Sequence, residues 1–197
     1  GLSVSDWMGV PQNAAYNIRE DGQCAGRQST KNIQITSKTD KPGIDIHILP
    51  GTRGETVYIP ACVTHSAVDD LVYNDFYVGE GADVTIIAGC GVHADGEEDA
   101  RHNGIHRFIL HKNAHVLYVE KHLGTGDGTG ARKIDPVTEV EQEEGSQMEM
   151  ETTQIGGVDL THRTMKAKLA AGAKLKVRER LLTDGSQQAF TDFVVEL

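Results

Sequence analysis

The sequence predicts an all-β repeat fold, a parallel β-solenoid, and three observations carry that expectation. Valine, isoleucine and threonine recur in short alternating segments, 22 glycines punctuate the chain, and one turn-and-strand unit returns several times. β-Branched residues suit a pleated, half-buried surface, and glycine supplies the tight turns between strands. With four Phe and one Trp in 197 residues, aliphatic side chains must fill most of the core.

Residues 1–31 differ from the rest. Trp7-Met8-Gly9-Val10-Pro11 and the following Asn13 to Arg19 have no clean period. They predict an irregular arm with a short helical turn, packed on the body through Trp7 and Tyr16. Residues 32–197 predict the β-helical core. Ile33-Gln34-Ile35 and Ile44-Asp45-Ile46-His47-Ile48 alternate, and Thr56 to Ile59 follows a Gly-rich turn. Pro42, Pro50 and Pro60 stand at segment edges, where no ladder donor is lost. Val84 to Ile87, Phe108 to Leu110 and Val116 to Val119 continue the series. Thr164 to Leu175 has helix-forming composition. Yet Met165, Ala167 and Leu169 lie two apart and Gly172 interrupts the run, so a strand is expected.

The repeat begins at Gly54, Gly81, Asn113, Gly145 and Gly172, which are 27, 32, 32 and 27 positions apart. Gly and Asn tolerate a left-handed turn position, and apolar residues two apart follow each one. A short strand cannot bury its apolar face alone, so such units stack and share a core. Val57, Val84, Val116, Met148 and Leu175 are then expected in one internal stack. Ile59, Ile86, Tyr118, Met150 and Val177 form a second beside it. An antiparallel sandwich also yields many alternating strands and is the competing architecture.

With 29 acidic and 19 basic residues the formal net charge is -10. That is the wrong sign for non-specific nucleic-acid binding or for an anionic membrane surface. The sequence contains no run of 18 apolar residues and no basic-then-apolar leader. Cys24, Cys62 and Cys90 are odd in number and widely spaced, which points to a reducing, cytoplasmic compartment.

Three stretches carry chemistry-bearing side chains. Cys90 and His93, with His102 and His106 downstream, offer thiolate and imidazole donors suited to zinc or iron. No standard zinc spacing is met, and the plain alternative is a strand-end cysteine among surface histidines. Gly124-Thr125-Gly126-Asp127-Gly128-Thr129-Gly130 resembles a phosphate-binding loop in glycine content alone. It lacks the Gly-Lys-Ser/Thr ending, so it predicts a connection between coils and no ATP hydrolysis. The stretch Glu139-Val140-Glu141-Gln142-Glu143-Glu144, with Glu149 and Glu151, could supply a paired acid and base in a polysaccharide-modifying enzyme, or could line a solvated face. His111, His115, His122 and His162 are expected at strand ends or facing solvent.

Several segments are similar to the SufB/SufD family of iron–sulfur cluster assembly proteins, in its short, single-component form. They are Tyr16-Asn17-Ile18-Arg19, Lys41 to Asp45, Val72 to Gly79, Ile87-Ala88-Gly89-Cys90-Gly91-Val92-His93 and Gly104-Ile105-His106-Arg107-Phe108. Tyr118 to His122, Gly124 to Gly130, Pro136 to Val140, Met148 to Thr152 and Gly157 to Asp159 continue the series. The resemblance implies a right-handed parallel β-helix acting as a non-enzymatic scaffold with an ABC-type ATPase of SufC type. It implies pairing as a homodimer or a SufB–SufD-type heterodimer. In that family the ATPase docks on C-terminal helices, and the chain stops at Leu197 before any such segment, so a C-terminally truncated core is expected. Cys90, with His93, His106 and His122, becomes the candidate set for metal or sulfur. Any cluster is expected to be transient and shared with a partner chain, because the sparse cysteines do not form a ferredoxin-like run. A cofactor-free interaction module is the third functional alternative.

Overall fold

The computed structural model describes residues 9–154, 156–181 and 187–197. These form β1 (Ala15–Glu20), β2 (Gln23–Gln28), β3 (Ile33–Ser37), β4 (Gly43–Ile48), β5 (Arg53–Val63), β6 (Asp69–Val78), β7 (Asp83–His93) and β8 (Ala100–Leu110). They continue through β9 (His115–Thr125), β10 (Arg132–Ile134), β11 (Val137–Gln142), β12 (Gln147–Gln154), β13 (Leu160–Leu169), β14 (Lys174–Leu181) and β15 (Gln188–Glu196).

One sheet has the order β14-β12-β9-β7-β5-β1-β2, and the other β10-β13-β11-β8-β6-β4-β3 with β15 on β13. From β4 onward successive strands alternate between the sheets, and neighbours within each sheet are parallel. This is a parallel β-solenoid of about five turns, and the parallel ladders exclude the antiparallel sandwich. Among the described residues only the first rungs are antiparallel, in the hairpins β1–β2 and β3–β4. Part of the expected irregular arm is therefore regular. Ala15 is fully buried as the first rung beside Val57, while Trp7 lies outside the described residues. Asp135 and Pro136 divide one rung into β10 and β11, both of which bridge β8 and β13. Proline has no N–H for the ladder, so the rung breaks there. The segment from Thr164 to Leu175 is strand, turn and strand, as its two-residue period predicted.

The internal stack of Val84, Val116, Met148 and Leu175 forms as expected, in register on four strands. Val57 does not belong to it. It pairs with Ile86, in the ladder of Tyr118, Met150 and Val177, and Ile59 pairs with Ala88. The cause is a bulge between Arg53 and Glu55, where Gly54 takes φ 72. An extra residue in one strand shifts every later partner. The turn equivalent to Gly81 is thus Gly51. Gly51, Gly81, Asn113, Gly145 and Gly172 all have φ between 58 and 72. The residue after each donates its N–H back to the carbonyl three positions earlier, from Thr52 to Leu49 through Ala173 to Ala170.

On the facing sheet Ile46, Phe76, Phe108, Val140 and Ala167 make the matching ladder. The Phe76 and Phe108 rings stack with centroids 4.7 Å apart. The glycine-rich run lies at the opposite corner, stacked on the turn of the preceding coil. Gly128 and Gly130 donate to the carbonyls of Ala94 and Gly96 at 3.0 and 2.9 Å. A Cβ at Gly130 would stand 1.8 Å from the carbonyl oxygen of Glu98. The glycines let two backbones touch, which accounts for the run without a phosphate.

Candidate functional site

Two apolar clusters fill the solenoid interior. The larger contains Val57, Ile86, Tyr118, Phe76 and Phe108; the smaller contains Val63, Cys90, Val92, Ala100, Ile134 and Val158. Between them the inner faces turn polar. Strand alternation puts every second residue inside, so the parity that buries Tyr118 also buries Glu120 and His122. On β8 the same rule brings in His102, Gly104 and His106, and on β13 Thr161 and Arg163.

These side chains form two charge-balanced groups. Glu120 is ion-paired with Arg163, accepts the Tyr118 hydroxyl at 2.7 Å and accepts His122 Nε2–H at 2.9 Å. Arg163 also donates to Thr152 Oγ1 at 2.9 Å. Burial opposes the Glu120 charge, but Arg163 and His122 outweigh it and hold the carboxyl well below its usual range. In the second group Asp70 accepts Arg19 Nη2 at 2.9 Å and His102 Nδ1–H at 3.1 Å. Burial again opposes the charge, yet these two partners lower Asp70 to about 2.

Each imidazole has its tautomer set by what it faces, since a carboxylate can only accept. His102 donates from Nδ1 to Asp70, and His122 donates from Nε2 to Glu120. Tyr118 gives its own proton to Glu120, so its oxygen accepts His106 Nδ1–H at 2.9 Å. Desolvation lowers His106 to about 4 and keeps it neutral. His106 Nε2 accepts from Asn74 at 3.3 Å, whereas His122 Nδ1 is buried with no partner.

A cavity of about 280 Å³ runs through this region. Its deep wall holds Cys90, His102, His106, Glu120 and His122; its outer end holds Cys24, Arg27 and Lys41 beside the β1–β2 hairpin. Gly104 makes room for it. A Cβ there would lie 2.9 Å from His106 Nε2 and 3.4 Å from His102 Nε2.

The structure thus brings Cys90, His106 and His122 to one chamber, with Cys90 and His122 on adjacent rungs. His93 is not among them. It lies three residues beyond Cys90 on the opposite face of β7 and pairs with Thr125 at 2.9 Å. His122, expected at a strand end or facing solvent, is 1% exposed, and His102 is likewise interior at 5%. Among the described residues no three His, Cys, Asp or Glu side chains are grouped to hold a metal ion. Burial, then the charges of Glu120 and Asp70, raise the Cys90 thiol well above its usual value. Cys62 lies on the opposite face of β5 from Ala61, the partner of Cys90, and is pushed up to about 12, chiefly by burial.

The acidic candidates do not converge. Glu139 and Glu141 lie on β11 beside Lys166 and Lys168, whereas Glu149 and Glu151 lie on the other sheet beside Lys176 and Arg178. Each carboxylate has a cationic neighbour on the next rung, the arrangement of a solvated, charge-matched face. No protein-family model matches the chain, and no curated protein gives a significant match.

Proposed function

We propose that this chain is the β-solenoid core of a SUF-type iron–sulfur cluster assembly scaffold that works with an ABC-type ATPase. One observation carries the reading. Three segments of the SufB/SufD resemblance, around Cys90, His106 and His122, are distant in sequence yet deliver those side chains to a single chamber. The parallel solenoid is also the fold that the resemblance implies. The cluster is cargo, and its ligation is shared with the ATPase complex and a paired SufB- or SufD-like chain. The rigid ladder supplies the platform, and the three unpaired cysteines suit a reducing cytoplasm. No helix among the described residues is long and apolar enough to cross a membrane.

The test is anaerobic reconstitution with the partner ATPase, ferrous iron and a sulfur donor, followed by iron and acid-labile sulfide analysis. Cluster bound in stoichiometric amount, and reduced when Cys90 is replaced by serine, is the expected result. No cluster with the complete set of partners overturns the proposal.

A further inference from the structure

The cavity has a charge pattern opposite to that of the whole chain. Net charge is -10, yet four cations, Arg19, Arg27, Lys38 and Lys41, line the cavity against one carboxylate, Glu120. Two of the four are already matched. Arg19 is held by Asp70 at 2.9 Å, and Lys38 by Asp45 and Asp75 at 2.6 and 2.9 Å. The other two stand at the outer end. Arg27 donates to the neutral groups Asn17 Oδ1 and Ser37 Oγ at 2.8 and 2.9 Å, and Lys41 Nζ lies 4.5 Å from the Tyr73 ring centre. Among the described residues neither is ion-paired with a carboxylate. Two such cations at an opening draw in an anion and hold it there through charge-assisted hydrogen bonds.

The deep end asks for a different group. Glu120 already has Arg163, Tyr118 and His122 as partners, so it repels a second anion and needs no further cation. Beside it His122 lines the cavity at 1% exposure, and its Nδ1 is buried with no partner. Buried polar atoms are nearly always hydrogen-bonded, so an unpartnered one on a cavity wall points to a ligand group. Nδ1 is an acceptor on a neutral ring and a donor on a charged one. A hydroxyl both donates and accepts, and so satisfies either. Ile44, Ile59 and Val72 add apolar wall. At about 280 Å³ the space stands at the small end of ligand sites, which run from roughly 300 to 1,000 Å³. We infer that the cavity is a binding site for a small hydroxycarboxylate. Its carboxylate meets Arg27 and Lys41, its hydroxyl meets His122 Nδ1, and its hydrocarbon lies on the apolar wall. This goes beyond the assembly reading. Binding is measured on the chain alone, without iron, sulfide or ATPase, so either reading can fail while the other stands.

Isothermal titration calorimetry with straight-chain ω-hydroxycarboxylates of about three to eight carbons tests the site, the range being set by the small volume. The matched alkanoates, which lack the hydroxyl, and the matched diols, which lack the carboxylate, are the controls. At least one hydroxycarboxylate is expected to bind with Kd below about 1 mM. Removing its hydroxyl should weaken binding about two- to tenfold, the effect of one neutral hydrogen bond. Replacing its carboxylate should weaken binding several-fold, as should Arg27→Gln combined with Lys41→Gln, or added salt. Both cations are at the outer end, and circular dichroism checks that the double variant is folded. In the unaltered chain, long-range ¹⁵N–¹H spectra should show the His122 Nδ1 signal moving as ligand saturates. No member of the series with Kd below about 1 mM overturns the site. Equal affinity for acid and diol, or for the folded double variant and the parent, overturns the carboxylate assignment. A His122 Nδ1 signal that stays put at saturation overturns the placing of the hydroxyl.

Discussion

Replacing His106 by glutamine should flatten the acid sensitivity of the fold. His106 is held near 4 in the folded chamber, against 6.5 for the free side chain. Between those values the unfolded chain binds a proton that the folded chain refuses. Stability from this group is therefore intact above about pH 6.5 and lost as pH falls toward 4, with no further loss below. A gap of about two and a half pH units at ~1.4 kcal/mol each gives a loss of about 3 kcal/mol. Urea denaturation from pH 7.5 to 4 measures it. The variant sacrifices the bond to Tyr118 and starts lower, but glutamine does not titrate, so its decline should be about 3 kcal/mol shallower. Parallel curves for the two proteins would show that His106 is not held neutral by burial and would refute the reasoning.

Other outcomes follow from the same geometry. Arg163→Met strands the buried Glu120 charge and should cost about 3–5 kcal/mol in urea denaturation, with much of the loss recovered when Glu120→Gln is added. Asp70, lowered from 3.8 to about 2, adds about 2 kcal/mol that is present above pH 4 and lost as pH falls through 2. Asp70→Asn should remove that part of the acid transition. Gly130→Ala places a methyl against the Glu98 carbonyl backbone and should destabilise by more than about 2 kcal/mol, read by thermal melting. Phe108→Ala removes a ring stacked on Phe76 and should cost about 3–5 kcal/mol.

The fold was legible because the repeat writes its turn and its inward residues in local chemistry. Gly81, Asn113, Gly145 and Gly172 share one φ region, and the stack from Val84 to Leu175 follows from counting two residues at a time. The first copy misled because Gly51, before β5, and Gly54, in its first residues, lie close together and both take positive φ. Only pairing reveals that Gly54 is a bulge. The chamber was legible in part. Cys90, His106 and His122 stand out by residue type, yet residue type alone leaves His122 at a strand end or in solvent. Parity was the neglected signal, since Tyr118 was already placed inside and His122 lies four residues on in the same strand. Glu120 and Arg163 give no local sign of their partnership, because 43 residues separate them and only coil stacking joins them. His93 shows the converse, a suitable ligand type placed on the wrong face by one odd step.

Long-range ¹⁵N–¹H spectra of the histidine rings in the native protein test the interior chamber most directly. A neutral His106 protonated on Nδ1 and still neutral at pH 5, with a hydrogen on His122 Nε2, is the predicted pattern. A His106 ring that takes up its proton near pH 6.5, or a His122 with no hydrogen on Nε2, would contradict it.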